Sequence, residues 1–420
     1  MTDIMNIIKD FRTGCPCGKE HETTVRDVRI GSGIVTEVGR ILKENGFTKK
    51  LLLVADNNTL KASEGIIDSL CDFDIEYKIY DELRVAEMKH VEEIEALISG
   101  REISVLSVGT GSLNDPCRLA CARQNKLFCI FGTAPSMDGF ASYSSPIVAN
   151  GFKASYEAKS PEVIIADTKI LAKAPSHLKS AGFGDMIAKY IGICDWEISH
   201  ILTGEYYCEK ISEYVRKTVD ELLSMADRVT VEDETAAGMI FDKLLKTGIF
   251  MSFTKNSRPA SGSEHIIAHL IECLELPHGI IPNFHGEDVG VCTLAMLKYY
   301  KDLAKYESIT AVSEAVDWDK VYEVYGEEMA PDVRKLNTPS TITDDVDLSD
   351  LENKWQKIRE IIGKLPDYDR CYDAMKRAGC KTTIEEIGKS RELFDTCVEY
   401  SPFMRRRLTL LRMQRMIKTN

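Results

Sequence analysis

The sequence predicts an α/β domain with a parallel sheet followed by an all-α domain, and two observations support this. The chain has 420 residues, more than the roughly 100–200 residues that one typical core organises. Strand-length apolar runs alternate with helix-like segments in the first half, whereas helical patterns fill the second. Such alternation is typical of parallel strands covered by helices. We therefore expect a Rossmann-like domain in residues 1–175 and a helical domain in residues 176–420.

The strands of the first domain are predicted from short apolar runs with polar or Gly residues at their ends. These runs are 51–55, 75–80, 103–108, 127–131 and 163–167. The pair Asn150-Gly151 lies between extended segments and predicts a β-hairpin turn. Apolar residues with a period near 3.6 predict the helices. They cover 34–44 and 91–98 in the first domain, and 181–199, 205–228, 235–249 and 265–275 in the second.

Charge and composition argue against several classes of partner. The formal net charge is −13 and no Lys/Arg stripe is continuous, which disfavours nucleic acid or an anionic membrane as the main partner. The short basic run 405–407 is interpreted as a solvated helix face. No apolar run approaches the roughly 20 residues of a membrane span, and the N-terminal residues lack the apolar core of a secretory signal. We expect a cytoplasmic protein.

The cysteines predict a reduced protein. Their number, 13, is odd, and they lie mostly in apolar segments, so we expect buried thiols rather than a disulfide framework. The segment CPCGKEH places Cys15, Cys17 and His21 close together and resembles part of a zinc knuckle. A structural zinc site needs four ligands, usually in two closely spaced pairs. Because no second pair of this kind is evident, a zinc site is the less favoured interpretation.

Two loops that follow predicted strands carry the residues of a candidate nucleotide site. In GTGSLND at 109–115, glycines would let the backbone approach a ligand, and free N–H groups at a helix start favour a diphosphate. The loop TAPSMDG at 133–139, with Ser142 beyond it, suits ribose or nicotinamide contacts, although turn chemistry alone would explain Pro135. Asp56 ends a strand and is either a ribose ligand, which leans toward NAD over NADP, or an ordinary helix N-cap.

In the second half, Asp185, His265 and His285 form a potential ligand set of one carboxylate and two imidazoles. A mixed set of three suits a catalytic divalent ion that keeps positions open for substrate. His269 lies four residues after His265, so on a helix both rings project from the same face. Each histidine alone is more often a core or surface residue, and only their clustering near Gly- and Ser-rich turns favours a site.

The chain resembles the sn-glycerol-1-phosphate dehydrogenase family, within the superfamily of iron-containing alcohol dehydrogenases and dehydroquinate synthases, and most closely its bacterial branch. The resemblance covers nearly the whole chain and rests on motifs in the family's order. They are GTGSLND, TAPSMDGFASYSSP, SAGFGDMIAKY, RPASGSEHIIAHLIE and PNFHGEDVG. The resemblance implies a homo-oligomeric enzyme of phospholipid metabolism that reversibly reduces dihydroxyacetone phosphate to sn-glycerol-1-phosphate with NADH or NADPH.

The resemblance also implies roles for individual residues. Dinucleotide contacts are expected from Asp56, Gly111, Ser112, Leu113, Asn114, Asp115, Thr133, Ala134, Pro135, Ser136 and Ser142. Metal ligation is expected from Asp185, His265 and His285, and substrate contacts from Asp138, Asp185 and His269. The metal would be one divalent ion, zinc, nickel or iron. It would polarise the ketone for hydride transfer, and His269 is the first candidate to pass the proton.

Four cations need separate treatment. Arg118 stands where many members of the superfamily have Lys, which puts a cofactor role of that cation in doubt. Lys189, Lys255 and Arg258 lie near the proposed site residues in sequence and are candidates to bind the substrate phosphate. Each of them could equally be a solvated surface cation.

Three other functions stay open from the sequence. A polyol dehydrogenase of the same superfamily would act on unphosphorylated glycerol, and a lyase like dehydroquinate synthase would use NAD only transiently. A nucleotide-binding regulator could keep the fold without activity, because a fold alone does not fix function. The intact set Asp185, His265 and His285 argues against the regulator.

Overall fold

The computed structural model describes residues 4–419. The strands are β1 (Asp27–Gly31), β2 (Lys50–Asp56), β3 (Asp74–Tyr80), β4 (Ser104–Gly109), β5 (Phe128–Gly132), β6 (Ser144–Ala149), β7 (Phe152–Glu157), β8 (Val163–Asp167), β9 (Ile309–Ala311) and β10 (Ile417–Thr419). A parallel sheet has the order β1-β8-β5-β4-β2-β3. Strands β6 and β7 form an antiparallel hairpin, and Asn150 and Gly151 at its turn both have positive φ.

Helices cover the sheet and build the second half of the chain. The first are α1 (Ile4–Arg12), α2 (Val38–Glu44), α3 (Asn57–Ala62), α4 (Ile66–Ser69), α5 (Met88–Ile98), α6 (Gly111–Arg123) and α7 (Thr168–Lys173). Next come α8 (Ser176–Ile187), α9 (Lys189–Thr203), α10 (Glu209–Leu223), α11 (Glu234–Thr254), α12 (Ser263–Glu275) and α13 (His285–Leu303). The last are α14 (Trp318–Asn337), α15 (Leu348–Asn353), α16 (Trp355–Gly363), α17 (Tyr368–Arg377), α18 (Arg391–Tyr400) and α19 (Leu410–Met413).

The predicted fold class is confirmed, with local differences. The predicted strands fall on β2, β3, β4, β5 and β8, and the predicted hairpin is present. Strand β1 was not predicted, because its short segment DVRIG mixes charged and apolar residues. The single helix predicted over 181–199 is two helices, α8 and α9, and the helical half also contains the short antiparallel pair β9 and β10. The domain boundary at residue 175 stays a prediction.

The apolar runs form strands because both faces of the sheet are covered. Strands β4, β5 and β8 are buried at every position, and β2 at every position after its first, as expected for parallel strands with helices on both sides. One core packs the sheet against α2 and α4, and a second joins its other face to α1, α5, α6, α10 and α11. A third core fills the remaining helical region. In residues 4–419, none of the helices combines the length and the hydrophobicity needed to cross a bilayer.

A cavity of about 1200 Å³ lies at the carboxyl edge of the sheet. Asp56 and Asp167, the last residues of β2 and β8, line it, together with the loops after β4 and β5. Residues of α12 and α13 line it from the helical half. It exceeds the roughly 300–1,000 Å³ of ordinary small-molecule pockets and offers room for a dinucleotide beside a small substrate.

Candidate active site

Helices α8 and α13 approach each other so closely that only glycine fits between them. A Cβ added at Gly286 would lie 1.8 Å from the carbonyl oxygen of Ala181, and one added at Gly184 would lie 2.4 Å from the carbonyl oxygen of Gly286. The backbones themselves are therefore in contact. This contact brings Asp185, near the end of α8, next to His285, the first residue of α13.

Asp185, His265 and His285 converge at the cavity. Each offers one ligand atom, and these atoms all lie within 4.8 Å of one another. The Nε2 atom of His265 lies 3.5 Å from Oδ1 of Asp185, and the ring centroids of His265 and His285 are 5.2 Å apart. The structure thus brings together three side chains that the sequence singled out, from three different helices.

Glu264 orients the ring of His265. The Nδ1 atom of His265 lies 2.6 Å from Oε1 of Glu264, which also accepts a hydrogen bond from the backbone N–H of Gly262 at 2.8 Å. With Nδ1 donating to Glu264, Nε2 faces Asp185: a protonated ring donates a hydrogen bond to this carboxylate, and a neutral ring offers its lone pair to a cation, as in histidine ligands that a carboxylate holds from behind. Burial opposes charge on this ring, yet the hydrogen bonds to Asp185 and Glu264 raise the pKa of His265. The carboxylates of Asp185 and Glu264 therefore stabilise a positive charge on or beside the His265 ring.

Lys189 holds the carboxylate of Asp185 in its charged form. Its ammonium lies 2.6 Å from Oδ1 of Asp185 and 2.6 Å from Oδ2 of Asp138. Burial alone would raise the pKa of Asp185, but the charge of Lys189 and the hydrogen bond from His265 hold it far below its usual range. A buried carboxylate kept anionic beside two imidazoles is a donor set that suits a divalent cation.

Two of the three cations considered for phosphate binding are paired with carboxylates, and the third is exposed. The Lys189 side chain is fully buried between its two carboxylates. Arg258 is buried and donates to both carboxylate oxygens of Glu205. Lys255 is exposed directly after α11. Proximity in the sequence did not identify the phosphate-binding cations, because it does not show which carboxylate a side chain pairs with.

His269 stands beside the ligand set rather than in it. Its ring is nearly parallel to that of His285, with centroids 5.4 Å apart and 24° between the planes, and it lines the cavity. Burial, together with the charge of Lys153, lowers the pKa of His269 well below its usual range. The ring is therefore neutral near pH 7, with one nitrogen able to donate a hydrogen bond and one able to accept.

Most of the residues predicted to contact the dinucleotide line the cavity. These are Asp56, Gly111, Ser112, Leu113, Asp115, Thr133, Ala134, Ser136 and Ser142, and the predicted substrate residue Asp138 joins them. Asn114 does not, because its side chain turns inward and accepts a hydrogen bond from Ser107 at 2.7 Å. Pro135 also stays outside the lining, and its carbonyl packs against Gly182 of α8.

Asp56 and Arg118 each have a structural task. Asp56 is the N-cap of α3, since its carboxylate accepts the backbone N–H of Thr59 at 2.8 Å, and it also lines the cavity. The two interpretations of this residue are therefore compatible. Arg118 is fully buried and donates to Asp115 and to backbone carbonyls of the 139–144 loop, including Phe140 at 3.2 Å. It fixes this loop to α6.

The basic run 405–407 is not a solvated helix face. It lies in the segment between α18 and α19, outside any helix. Arg405 donates to the carbonyl of Lys153 at 2.8 Å, and Arg407 donates to the Ser257 hydroxyl at 3.0 Å. Burial lowers the pKa of both guanidiniums. In residues 4–419, no carboxylate oxygen lies within 4.0 Å of either guanidinium.

Lys153 completes this basic cluster, which consists of Lys153, Arg405 and Arg407. Lys153 on β7 lines the cavity, pairs with Glu272 at 2.6 Å, and acts electrostatically on His269. The Ser257 hydroxyl that Arg407 contacts also belongs to a cavity-lining residue. Lys153 thus lines the cavity itself, while Arg405 and Arg407, from a distant C-terminal segment, lie behind the lining and contact Lys153 and Ser257. Their separation in the chain is the reason that the sequence pattern missed them.

Comparison with known proteins identifies relatives of this chain. Residues 29–175 match the family model described as iron-containing alcohol dehydrogenase. The glycerol-1-phosphate dehydrogenase [NAD(P)+] of Bacillus velezensis is 31% identical over 304 residues, which cover 68% of this chain and 74% of that protein. The enzyme of the same name from Methanothermobacter thermautotrophicus is 30% identical over 321 residues, which cover 74% and 90%.

A solved structure supports the fold independently. The NADH-dependent butanol dehydrogenase A of Thermotoga maritima superposes with a TM-score of 0.61 over 93% of this chain and 92% of its own, at 15% identity. Taken with the two sequence relatives, these findings establish that the chain belongs to the glycerol-1-phosphate dehydrogenase family, among the iron-containing alcohol dehydrogenases.

Proposed function

We propose that this chain reversibly reduces dihydroxyacetone phosphate to sn-glycerol-1-phosphate, with NAD(P)H as hydride donor and one divalent metal ion held by Asp185, His265 and His285. The observation that carries the proposal is the convergence of these three side chains, within 4.8 Å, at a cavity lined by the predicted dinucleotide loops. When bound, the metal would act as a Lewis acid on the substrate carbonyl.

The loop after β5 supports a nicotinamide position next to this ligand set. The backbone N–H of Asp138 donates to Oδ2 of Asp185 at 2.9 Å. The loop that carries Thr133, Ser136 and Asp138 is therefore fastened directly to a proposed metal ligand. A nicotinamide held by this loop would present its hydride beside the carbonyl carbon, which is the positioning that hydride transfer requires.

His269 is proposed to move the proton. Its neutral ring stacks beside His285 and faces the cavity, so one ring nitrogen is available to a substrate hydroxyl. In the reduction the developing alkoxide takes the proton of one ring nitrogen while the other nitrogen receives a proton from water, so the neutral ring relays a proton from solvent to the product. In the reverse direction the same group accepts the proton of the alcohol.

The basic cluster of Lys153, Arg405 and Arg407 is proposed to bind the substrate phosphate. Neither guanidinium of the cluster has a carboxylate partner, so a phosphate dianion would supply the missing negative charge. The charges of Lys153 and Arg405 act on His269, the proposed proton carrier, so these two cations lie near the proposed position of the substrate hydroxyl. This cluster favours a phosphorylated substrate over glycerol itself, the substrate of the competing polyol dehydrogenase.

An NADH and NADPH oxidation assay with a panel of divalent metals tests the proposed function. Dihydroxyacetone phosphate should be reduced to sn-glycerol-1-phosphate, identified by chiral analysis, and dihydroxyacetone should be used far less well. Net NAD(P)H consumption, one per product, distinguishes this reaction from a lyase that uses NAD transiently. His265→Ala should abolish turnover and lower the metal content while NADH still binds. Full activity of metal-free protein would contradict the proposal.

The role of the basic cluster has its own test. Arg407→Met should raise KM for dihydroxyacetone phosphate about 10- to 100-fold, the usual cost of losing a charge-assisted contact of about 1.5–3 kcal/mol. The slow reaction with dihydroxyacetone should be unchanged. Arg406→Met is the matched control, because Arg406 is exposed and pairs with Asp345 at 3.2 Å. Equal loss with both substrates would show that Arg407 only supports the fold.

A further inference from the structure

A second group of side chains that could hold a metal ion lies outside the cavity lining. Cys15, Cys17 and His21 in the segment after α1 meet Cys208, the N-cap of α10. We refer to these four residues as the cysteine cluster. Each offers one ligand atom, and the four atoms all lie within 4.8 Å of one another. The side chains of His21 and Cys208 are fully buried.

The spacing of the four atoms matches a tetrahedral thiolate site. Zinc–sulfur bonds of about 2.3 Å place the ligand atoms of a tetrahedron about 3.8 Å apart, and a nitrogen ligand shortens this slightly. The Sγ atoms of Cys15 and Cys208 are 3.6 Å apart, and Sγ of Cys17 lies 3.2 Å from Nε2 of His21. The ligands are thus nearly at their bonded separations.

Neighbouring groups orient this set as outer partners orient metal ligands. Nδ1 of His21 lies 3.4 Å from the carbonyl oxygen of Phe253, so this nitrogen carries the proton and Nε2 faces the thiols with its lone pair. The Tyr206 hydroxyl lies 3.3 Å from Sγ of Cys17, where it can donate to a thiolate. These contacts specify the tautomer and the charge state that a metal requires.

A plain thiol core does not explain the arrangement. Other buried cysteines, for example Cys129 and Cys194, lie in the apolar cores and belong to no group of potential ligands. Across residues 4–419, the cysteine cluster is the one group of three or more potential ligands that contains sulfur. A disulfide between Cys15 and Cys208 would not explain why Cys17 and His21 lie in contact with each other.

We infer that Cys15, Cys17, His21 and Cys208 bind a second divalent metal ion of the zinc class, in a closed structural site. Four protein ligands of this kind leave no open position for substrate, which is typical of structural zinc. The ion would join the N-terminal segment to the start of α10 and, through His21, to α11 near Phe253. Such a link stabilises the folded state because the unfolded chain offers no preformed site.

Cobalt absorption tests this site separately from the active site. Metal-free protein loaded with Co²⁺ should show a thiolate-to-cobalt charge-transfer band, which the oxygen and nitrogen ligands of the active site cannot produce. Cys17→Ser and Cys208→Ser should each weaken or abolish the band. Cys71→Ser is the matched control, because Cys71 is exposed and lies outside the cysteine cluster. His285→Ala should keep the band, so failure of the active-site proposal leaves this result unaffected.

Metal content of the purified protein gives a second measurement. Wild-type protein should carry two equivalents of metal per chain, and Cys17→Ser about one, with a lower unfolding temperature. If Cys208→Ser does not fold, Cys17→Ser at the half-buried edge of the site decides the question. Absence of the charge-transfer band, a band that survives in Cys17→Ser, or a native mass lower by two hydrogens per chain from a disulfide would overturn the inference.

Discussion

The two proposed metal sites of this protein combine similar side chains with different numbers of ligands and different access to the cavity. The active-site set has three members on the ends of helices α8, α12 and α13, and two of them, His265 and His285, line a cavity of about 1200 Å³. The cysteine cluster has four members, three of them in one loop, and lies outside the cavity lining. Because a fourth protein ligand closes a metal site, ligand number and openness separate the proposed chemistry from the proposed structural role.

The two groups also differ in their charge balance. In the active site, the anionic Asp185 is offset by Lys189, and Glu264 lies behind His265. In the cysteine cluster, the polar contacts come from the Tyr206 hydroxyl, the Phe253 carbonyl and backbone hydrogen bonds from Lys19 and Ile211. The charge of Asp185 is therefore balanced by a cation of the protein itself, whereas in the cysteine cluster a bound metal ion would balance the negative charge of buried thiolates.

Gly286→Ala should cause the largest loss of catalytic activity and should leave the cysteine cluster unchanged. The new methyl group would meet the carbonyl oxygen of Ala181 and push α13 away from α8, displacing His285. A shift of about 1 Å at a catalytic group costs about 100-fold in rate. We expect about that loss of kcat, with lower metal affinity measured by chelator competition.

The matched control for this variant is Gly363→Ala. Gly363 also lies in a helix, but an added Cβ there has no heavy atom within 4 Å. This variant should keep wild-type kinetics, and both variants should keep the cobalt–thiolate band of the cysteine cluster. Normal turnover of Gly286→Ala would mean that the close helix contact does not set the position of His285.

Lys189→Met should cause the next largest loss, which is a loss of metal affinity at the active site. The change leaves Asp138 and Asp185 buried without their shared cation, so the pKa of both carboxyls should rise and Asp185 should bind metal less well. We expect metal affinity to fall about 10- to 100-fold, as for other partners that support metal ligands. Isothermal titration with Zn²⁺ measures this.

Lys243→Met controls for the loss of a buried ammonium. Lys243 is also buried, but it pairs with a single carboxylate, Glu221 on α10, away from the cavity. Unchanged metal affinity in Lys189→Met, or an equal loss in Lys243→Met, would remove the supporting role assigned to Lys189.

The sequence was sufficient for the central sheet and for identifying three side chains that the structure brings together at the proposed metal site. Strand segments such as LLLVAD in β2 are continuous apolar runs, and Asp185, His265 and His285 each lie in a recognisable motif. Partners that lie far apart in the chain could not be predicted. Cys208 is 193 positions from Cys15 and belongs to no motif with it.

The same limit explains the errors concerning charged residues. Arg405 and Arg407 were interpreted as surface residues because the sequence does not reveal that their segment folds back onto β7. Lys189 was considered for phosphate binding, yet Asp138 and Asp185 occupy it. Periodicity and motifs report local structure, whereas the partner of a buried charge is set by tertiary packing.

Tyr206→Phe should have the smallest effect and should affect only the cysteine cluster. It removes one hydroxyl at 3.3 Å from Sγ of Cys17, and a hydrogen bond of this kind contributes about 1 kcal/mol. Affinity for Co²⁺, followed by the charge-transfer band, should fall about fivefold, while kcat and KM stay unchanged. Tyr214→Phe is the control, since the Tyr214 ring packs against Phe11 and Phe250. Unchanged cobalt affinity in Tyr206→Phe, or an equal loss in Tyr214→Phe, would remove the role assigned to the Tyr206 hydroxyl.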